Sequence, residues 1–222
     1  MKKPELICYD FDGTLCNTLP DIAASMNVAF KRHGFDEIPE ERVRDFIGSG
    51  ISKLVERSVF YVLSKYSNGP LDPEILKEVG NEMATYYNAH LMDRSHLYND
   101  TIEILKHFSG VHQIIVSNKP EEMVNKMLKH YKIDHYFALV VGGDTIDVCK
   151  PDLKVWEYIM TTMNFSEKID GIMVGDSLPD VQFGKVAKLK TIAVSYGYND
   201  VPVLKTAGAD HIIDTLIELK TV

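Results

Sequence analysis

The run Asp10-Phe11-Asp12-Gly13-Thr14 follows the apolar stretch Leu6-Ile7-Cys8-Tyr9. Four apolar residues in a row predict a buried strand. Side chains alternate faces along a strand, so carboxylates two residues apart at its end point the same way. Gly13 then lets the chain turn sharply. Such a pair suits a divalent cation, and it suits dividing nucleophile and acid roles between identical side chains. Polar groups also follow three later apolar runs: Ser117-Asn118-Lys119, Lys150-Pro151, and Gly175-Asp176-Ser177-Leu178-Pro179-Asp180. In open parallel sheets ligands bind at the carboxyl ends of strands, so these groups are expected to meet Asp10 and Asp12 in space.

The elements that must position them follow from periodicity. Short apolar runs at 6–9, 114–116, 139–141, 171–174 and 191–194 read as buried strands, with a marginal sixth at 212–213. Between the later runs, 121–131 repeats Met123, Val124, Met127 and Leu128 at helical spacing, and 153–163 repeats Val155, Trp156, Ile159 and Met160 behind an Asp152 N-cap. A third, shorter helix is expected over 181–187. Strands alternating with helices predict an α/β fold with a Rossmann-like parallel sheet flanked by helices. The stretch 17–93 breaks that rhythm. It reads as helices at 22–32, 40–47, 51–64 and 73–91, with breaks at Gly34, Gly48-Ser49-Gly50 and Asn68-Gly69-Pro70. The expected organisation is an α/β core of 1–16 and 94–222 with an inserted all-helical domain of 17–93.

Composition limits the partners. The chain has 222 residues, 45% apolar and 25% charged, with a net charge of -8. An acidic surface argues against nucleic acid or an anionic membrane as main partner. Handling an anionic substrate would then require local lysines or a bound metal. Met1-Lys2-Lys3 is basic, but Asp10 cuts the apolar run short, so no secretory leader is expected. No stretch approaches the roughly 18 apolar residues of a membrane span. Cys8, Cys16 and Cys149 lack metal-ligand spacing and read as reduced thiols, which predicts a cytoplasmic protein.

With these residues in hand, the chain resembles the haloacid dehalogenase-like hydrolase superfamily. Asp10-Phe11-Asp12-Gly13-Thr14 matches its first motif, Ser117 its second, Lys150 its third and Gly175-Asp176-Ser177 with Asp180 its fourth, in the family's order. The resemblance implies that Asp10 is the nucleophile that forms an aspartyl-phosphate. Asp12 would protonate the leaving oxygen and then deprotonate the hydrolytic water. Mg2+ would sit between the Asp10 carboxylate, the Asp12 main-chain carbonyl and Asp176. Lys150 would offset phosphoryl charge and orient Asp10, and Ser117 would hydrogen-bond a phosphoryl oxygen. Asp180 would support the metal's water shell or hold Lys150. Gly13, Thr14 and Asn118 would lie on the substrate side, with Gly175 and Ser177 in support. Dehalogenase members lack an acid at the position of Asp12, so its presence implies phosphoryl transfer.

Within the superfamily, residues 10–22 and Phe46-Ile47-Gly48-Ser49-Gly50 resemble the phosphoglycolate phosphatase branch, where the helical insert is a cap that closes over the site. The sequence departs from relatives at Lys150-Pro151-Asp152-Leu153 and at Tyr98-Asn99-Asp100. The expected activity is hydrolysis of a small phosphorylated metabolite, 2-phosphoglycolate first, by a monomer or homodimer. A pyrophosphatase, a nucleotide or sugar-phosphate phosphatase, or a phosphomutase would share the same core residues. A phospho-Asp signalling module is the competing class, but it would be shorter, lack the insert and carry its acceptor on a later strand. A non-catalytic binding protein would not need all these residues.

Other features read more plainly. Gly48-Ser49-Gly50 follows no strand and is no dinucleotide fingerprint. Arg44, Lys53 and Arg57 could meet a substrate carboxylate or be ordinary solvated helix charges. Asn118 and Lys119 could assist Ser117 or line the mouth of the site. Tyr86-Tyr87 reads as core of the insert. Cys16 and Cys149 flank proposed site residues, and unchanged activity after complete thiol labelling would rule out a redox role for them.

Overall fold

The structure is a computed structural model that describes residues 3–64, 71–165 and 169–221. The chain divides into two compact units, Met1–Asn17 with Leu97–Val222, and Thr18–His96. In chain order the strands are β1 (Leu6–Tyr9), β2 (Cys16–Asn17), β3 (His96–Leu97), β4 (His112–Val116), β5 (Leu139–Val141), β6 (Gly171–Gly175), β7 (Lys190–Val194) and β8 (His211–Ile213). The helices are α1 (Leu19–Arg32), α2 (Glu40–Arg44), α3 (Ile51–Leu63), α4 (Pro73–Ala89), α5 (Thr101–His107), α6 (Glu121–His130), α7 (Leu153–Thr162), α8 (Leu178–Val186) and α9 (Val201–Thr206). The expected break at Asn68-Gly69-Pro70 lies outside the described residues.

The first unit is built on one parallel sheet in the order β5-β4-β1-β6-β7-β8. All four residues of β1 are buried, as expected for a central strand covered on both faces. The chain adds β4 and β5 on one side of β1, then crosses to add β6, β7 and β8 on the other. This reversal is the switch point at which parallel sheets open a crevice beyond their strand ends. Leu6, Cys8, Ile114, Val116 and Met173 share one sheet face, which packs on Val155 and Ile159 of α7 and Phe183 of α8. The marginal run at 212–213 is a real strand, paired in register with β7 through Ile192 and His211.

Local chemistry explains where the observed bounds differ from periodicity. Helix α8 begins at Leu178 rather than 181, because Asp180 reaches back to accept the Ser177 backbone N–H at 2.9 Å and Pro179 presets the first turn. Helix α2 stops at Arg44, short of 47, where Phe46 and Ile47 donate instead to Val43 and Arg44 carbonyls in tight turns. Helices α5 and α9 were not expected from the sequence. They have 7 and 6 residues, too few turns for a periodic apolar pattern to show.

Among its described residues the second unit has helices as its regular elements, apart from His96 at the start of β3. Ile22, Met26 and Phe30 of α1, Val55, Val59 and Val62 of α3, and Val79, Met83 and Tyr87 of α4 are buried at helical spacing. The buried Asp21 carboxylate accepts the Arg94 and Ser95 backbone N–H groups and the Ser95 hydroxyl. Among the described residues, no helix is long and apolar enough to cross a membrane.

Candidate active site

The carboxyl ends of β1, β4 and β6 bring the motif residues together within the first unit. Asp10 leaves β1 directly, and its backbone N–H still bonds to the Val174 carbonyl of β6 at 2.9 Å. Gly13 adopts φ +79°, a conformation that L side chains rarely take, and a Cβ there would collide with the Asp176 carboxylate. The turn therefore requires glycine both for its backbone and for the space beside Asp176.

Two buried lysines divide the carboxylates between them. The Lys150 ammonium lies 3.1 Å from Asp10 Oδ1 and 2.5 Å from Asp180 Oδ1. The Lys119 ammonium donates to both oxygens of Asp12, at 3.0 and 3.3 Å. Asp180 also accepts on Oδ2 from the Asp176 and Ser177 N–H groups and from the Ser177 hydroxyl at 2.6 Å. Asp180 thus holds Lys150, and it also lies among the carboxylates that could surround a metal. Asp176 accepts from the Thr14 hydroxyl at 3.0 Å and the Tyr198 N–H at 2.7 Å. Asn118 donates to the Lys150 carbonyl at 3.2 Å, tying the loop after β4 to the loop that carries Lys150. The Lys150-Pro151 peptide is cis.

This crowding perturbs the carboxylates. Burial and the neighbouring Asp180 push Asp10 up to about 7, against the Lys150 ammonium and a Ser117 hydrogen bond that pull it down. Burial, Asp180 and Asp10 likewise hold Asp176 well above the usual carboxylate range, although Tyr198 and Thr14 donate to it. Burial alone would lower Lys150, yet Asp10 and Asp180 outweigh it and raise the ammonium above its ordinary value. A pocket that makes its own carboxylates this reluctant to ionise is short of positive charge.

The donor set fits a hard divalent cation. Oxygens of Asp10, Asp176 and Asp180 lie within 4.8 Å of one another. Asp10 Oδ1 is buried and receives no directed hydrogen bond, despite the ammonium beside it. Among the described residues here, the formal charges are four carboxylates (Asp10, Asp12, Asp176, Asp180) against two ammoniums (Lys119, Lys150). The difference of two negative charges matches one divalent ion, whose preferred ligands are carboxylate oxygens.

Several placements were not legible beforehand. Lys119, expected to assist Ser117 or line the mouth, is bonded to Asp12. The Thr14 hydroxyl, expected on the substrate side, faces Asp176. The segment Tyr196-Gly197-Tyr198 was missed altogether, yet Tyr196 donates its hydroxyl to the Thr14 carbonyl at 2.8 Å and Tyr198 donates to Asp176. The signal was available, since these residues follow the 191–194 run just as Ser117 follows 114–116. In the second unit, Lys53 pairs with Glu56 at 2.7 Å, and Arg57 donates to the Phe46 carbonyl and the Ser49 hydroxyl. Tyr87 is buried, while Tyr86 stacks on His90 at 4.1 Å. Cys8 and Cys16 are buried and Cys149 is half-buried, and none forms a disulfide.

Comparison with known proteins agrees with the motif pattern. Residues 7–194 match the family model for haloacid dehalogenase-like hydrolases. A phosphoglycolate phosphatase of Vibrio cholerae is 32% identical over 224 residues, covering 99% of this chain and 98% of the relative. One from Haemophilus influenzae is 32% identical over 221 residues, covering 98% and 97%. The crystal structure of a predicted phosphoglycolate phosphatase from Haemophilus somnus 129pt superimposes with a TM-score of 0.91 at 29% identity, covering 99% of this chain and 98% of that one.

Proposed function

The chain belongs to the haloacid dehalogenase-like hydrolases, on their phosphatase branch, and from that premise we propose that it hydrolyses a small phosphomonoester through a phosphorylated Asp10, with Mg2+ as cofactor and 2-phosphoglycolate as first substrate. The observation that carries this reading is the separate tethering of the two motif-one carboxylates. Asp10 shares Lys150 with Asp180, whereas Asp12 has its own ammonium in Lys119. Two identical side chains two residues apart in the backbone are thereby given different environments, which is how acid and nucleophile roles are kept apart.

In the first half-reaction an Asp10 oxygen attacks phosphorus, the new P–O bond forms, and the bond to the leaving oxygen breaks. Asp12 delivers a proton to that oxygen, which an alkoxide needs in order to leave. In the second half, Asp12 takes a proton from water as the water oxygen attacks phosphorus. The bond to Asp10 then breaks and inorganic phosphate is released. Lys150 holds Asp10 in place and offsets phosphoryl charge, and the Ser117 hydroxyl binds a phosphoryl oxygen. The carboxylates of Asp10 and Asp176 and the main-chain carbonyl of Asp12 would hold Mg2+. When bound, the ion supplies neutralisation of phosphoryl charge for an anionic nucleophile approaching an anionic substrate.

The helical unit is proposed as a cap, on the resemblance of the sequence to the phosphoglycolate phosphatase branch. Reduced thiols and a small acidic chain support a cytoplasmic enzyme, monomeric or homodimeric, acting on a metabolite rather than on nucleic acid or membrane. The deciding experiment is phosphate release from a panel of phosphorylated metabolites, ranked by kcat/KM. The expected outcome is the highest value for 2-phosphoglycolate and complete loss in EDTA. A better value for a sugar phosphate or nucleotide would overturn the substrate, and undiminished release in EDTA would overturn the metal.

A further inference from the structure

The geometry points to Lys119 as a positioning residue for Asp12, one that fixes the plane of the acid carboxyl and aims it at the leaving oxygen. This rests on the phosphatase reading above and extends it to a residue outside the four motifs.

The backbone sets up the encounter. Strands β1 and β4 are neighbours, with Tyr9 beside Ile115. Asp12 stands three residues beyond Tyr9 and Lys119 four residues beyond Ile115, so two adjacent loops leave the sheet side by side. The long lysine side chain bridges them. Its ammonium contacts both oxygens of one carboxylate, at 3.0 and 3.3 Å. The terminal torsion of an aspartate is broad and nearly free. Contact with both oxygens removes that freedom, which a single hydrogen bond would not do.

Burial argues against a merely stabilising ion pair. The Lys119 side chain is 2% exposed and that of Asp12 is 13% exposed. Taking an ammonium out of water costs several kcal/mol, and a buried ion pair commonly does no better for stability than an apolar pair of the same volume. A methionine would fill that space without the cost, so the charge is best explained by what it does to Asp12.

The segment carrying Lys119 is itself braced. Gly143 donates its N–H to the Lys119 carbonyl at 2.9 Å, and Ser117 donates to Val141. A Cβ on Gly143 would lie 2.5 Å from the Asn118 carbonyl oxygen, so only glycine allows this approach. Two residues beyond Lys119, the Glu121 N–H donates to Asp144 at 2.7 Å, and Thr145 donates to the Glu121 carboxylate at 2.6 Å. The loop 142–145 thus clamps both ends of the turn from which Lys119 projects.

Leaving-group dependence separates this role from others. Positioned acid catalysis is worth roughly 10²–10⁴-fold, and only where the leaving group needs a proton. In Lys119→Met, kcat/KM for an alkyl phosphate such as 2-phosphoglycolate should fall on the order of 100-fold, and for p-nitrophenyl phosphate only a few-fold. Lys119→Arg should recover part of the alkyl-phosphate rate. Retained p-nitrophenyl phosphatase activity shows that the variant folds. Should the methionine variant prove insoluble, Lys119→Gln, which keeps a donor but no charge, is measured with the same pair. Equal losses on both substrates, carried in KM, would mean that Lys119 binds the phosphoryl group, and no loss on either would make it structural. Either result overturns the assignment while leaving the phosphatase reading intact. A wild-type enzyme inactive on all phosphomonoesters overturns both.

Discussion

Asp10 and Asp12 are reached by different lysines and sit in different surroundings, and that difference sets what their removal should do. Asp10 is 5% exposed, beside an ammonium it shares with Asp180. Asp10→Asn keeps the shape and removes both the charge and the nucleophile. Turnover should drop by at least about 10⁴-fold, as is usual when a covalent catalyst is lost, while circular dichroism stays that of the wild type. Retained phosphate release would remove Asp10 as nucleophile. At this scale most of the site was legible. Identical carboxylates at a strand end, a lysine and a second acidic pair all declare themselves by type and spacing. The partner of each carboxylate was not, because a hydrogen bond is made by atoms that meet across 107 residues of chain, as Lys119 and Asp12 do.

Among the elements, the packing of β7 against its neighbours offers a test away from the chemistry. Asp210, just before β8, accepts the Thr191 N–H at 2.8 Å and the Thr191 hydroxyl at 2.7 Å, and it pairs with Lys185 of α8. Burial would raise its carboxyl, but the Thr191 donors and the Lys185 ammonium hold it down, at about 2 against an ordinary 3.8. A folded-state value below the unfolded one means a stabilisation present above pH 3.8 and lost as pH falls through about 2. Asp210→Asn should therefore unfold at lower temperature than wild type at neutral pH, and the gap should close toward pH 2. A gap independent of pH would show that Asp210 acts through packing alone. The site is 39% exposed, so screening by water keeps the effect small. The elements themselves were legible where they were long or wholly apolar. Helices α5 and α9 were not, because one or two turns leave no period to read.

For the molecule as a whole, the acidic centre of the first unit is a cost carried in the absence of a cation. Asp10 and Asp176 are both raised above their ordinary values. A carboxylate raised in the folded state weakens folding at every pH above its unfolded value, which includes neutrality. A cation that binds the native state alone should reverse this, by about 2.7 kcal/mol at one hundred times its dissociation constant. Mg2+ should therefore raise Tm well beyond the effect of Na+ at equal ionic strength. Asp176→Asn should raise the metal-free Tm and abolish the response to Mg2+. A wild-type Tm indifferent to Mg2+ would remove the ion from this site.

The sequence alone determined the class of fold and the helical insert, and it marked Asp10, Asp12, Lys150 and Asp176 as candidates for one site. It could do so because these depend on local properties: the period of apolar residues, the alternation of a strand and the chemical type of a side chain. Only the tertiary structure decided which ammonium serves which carboxylate, that Thr14 and Tyr198 turn toward Asp176, and that a glycine loop braces Lys119. Those outcomes depend on strand order and on the β1–β4 register, which places loops distant in the chain within a side chain's reach. The Asp10-to-Thr14 run thus announced two carboxylates on one face of a strand end, but their separation into two environments exists only once the sheet is assembled.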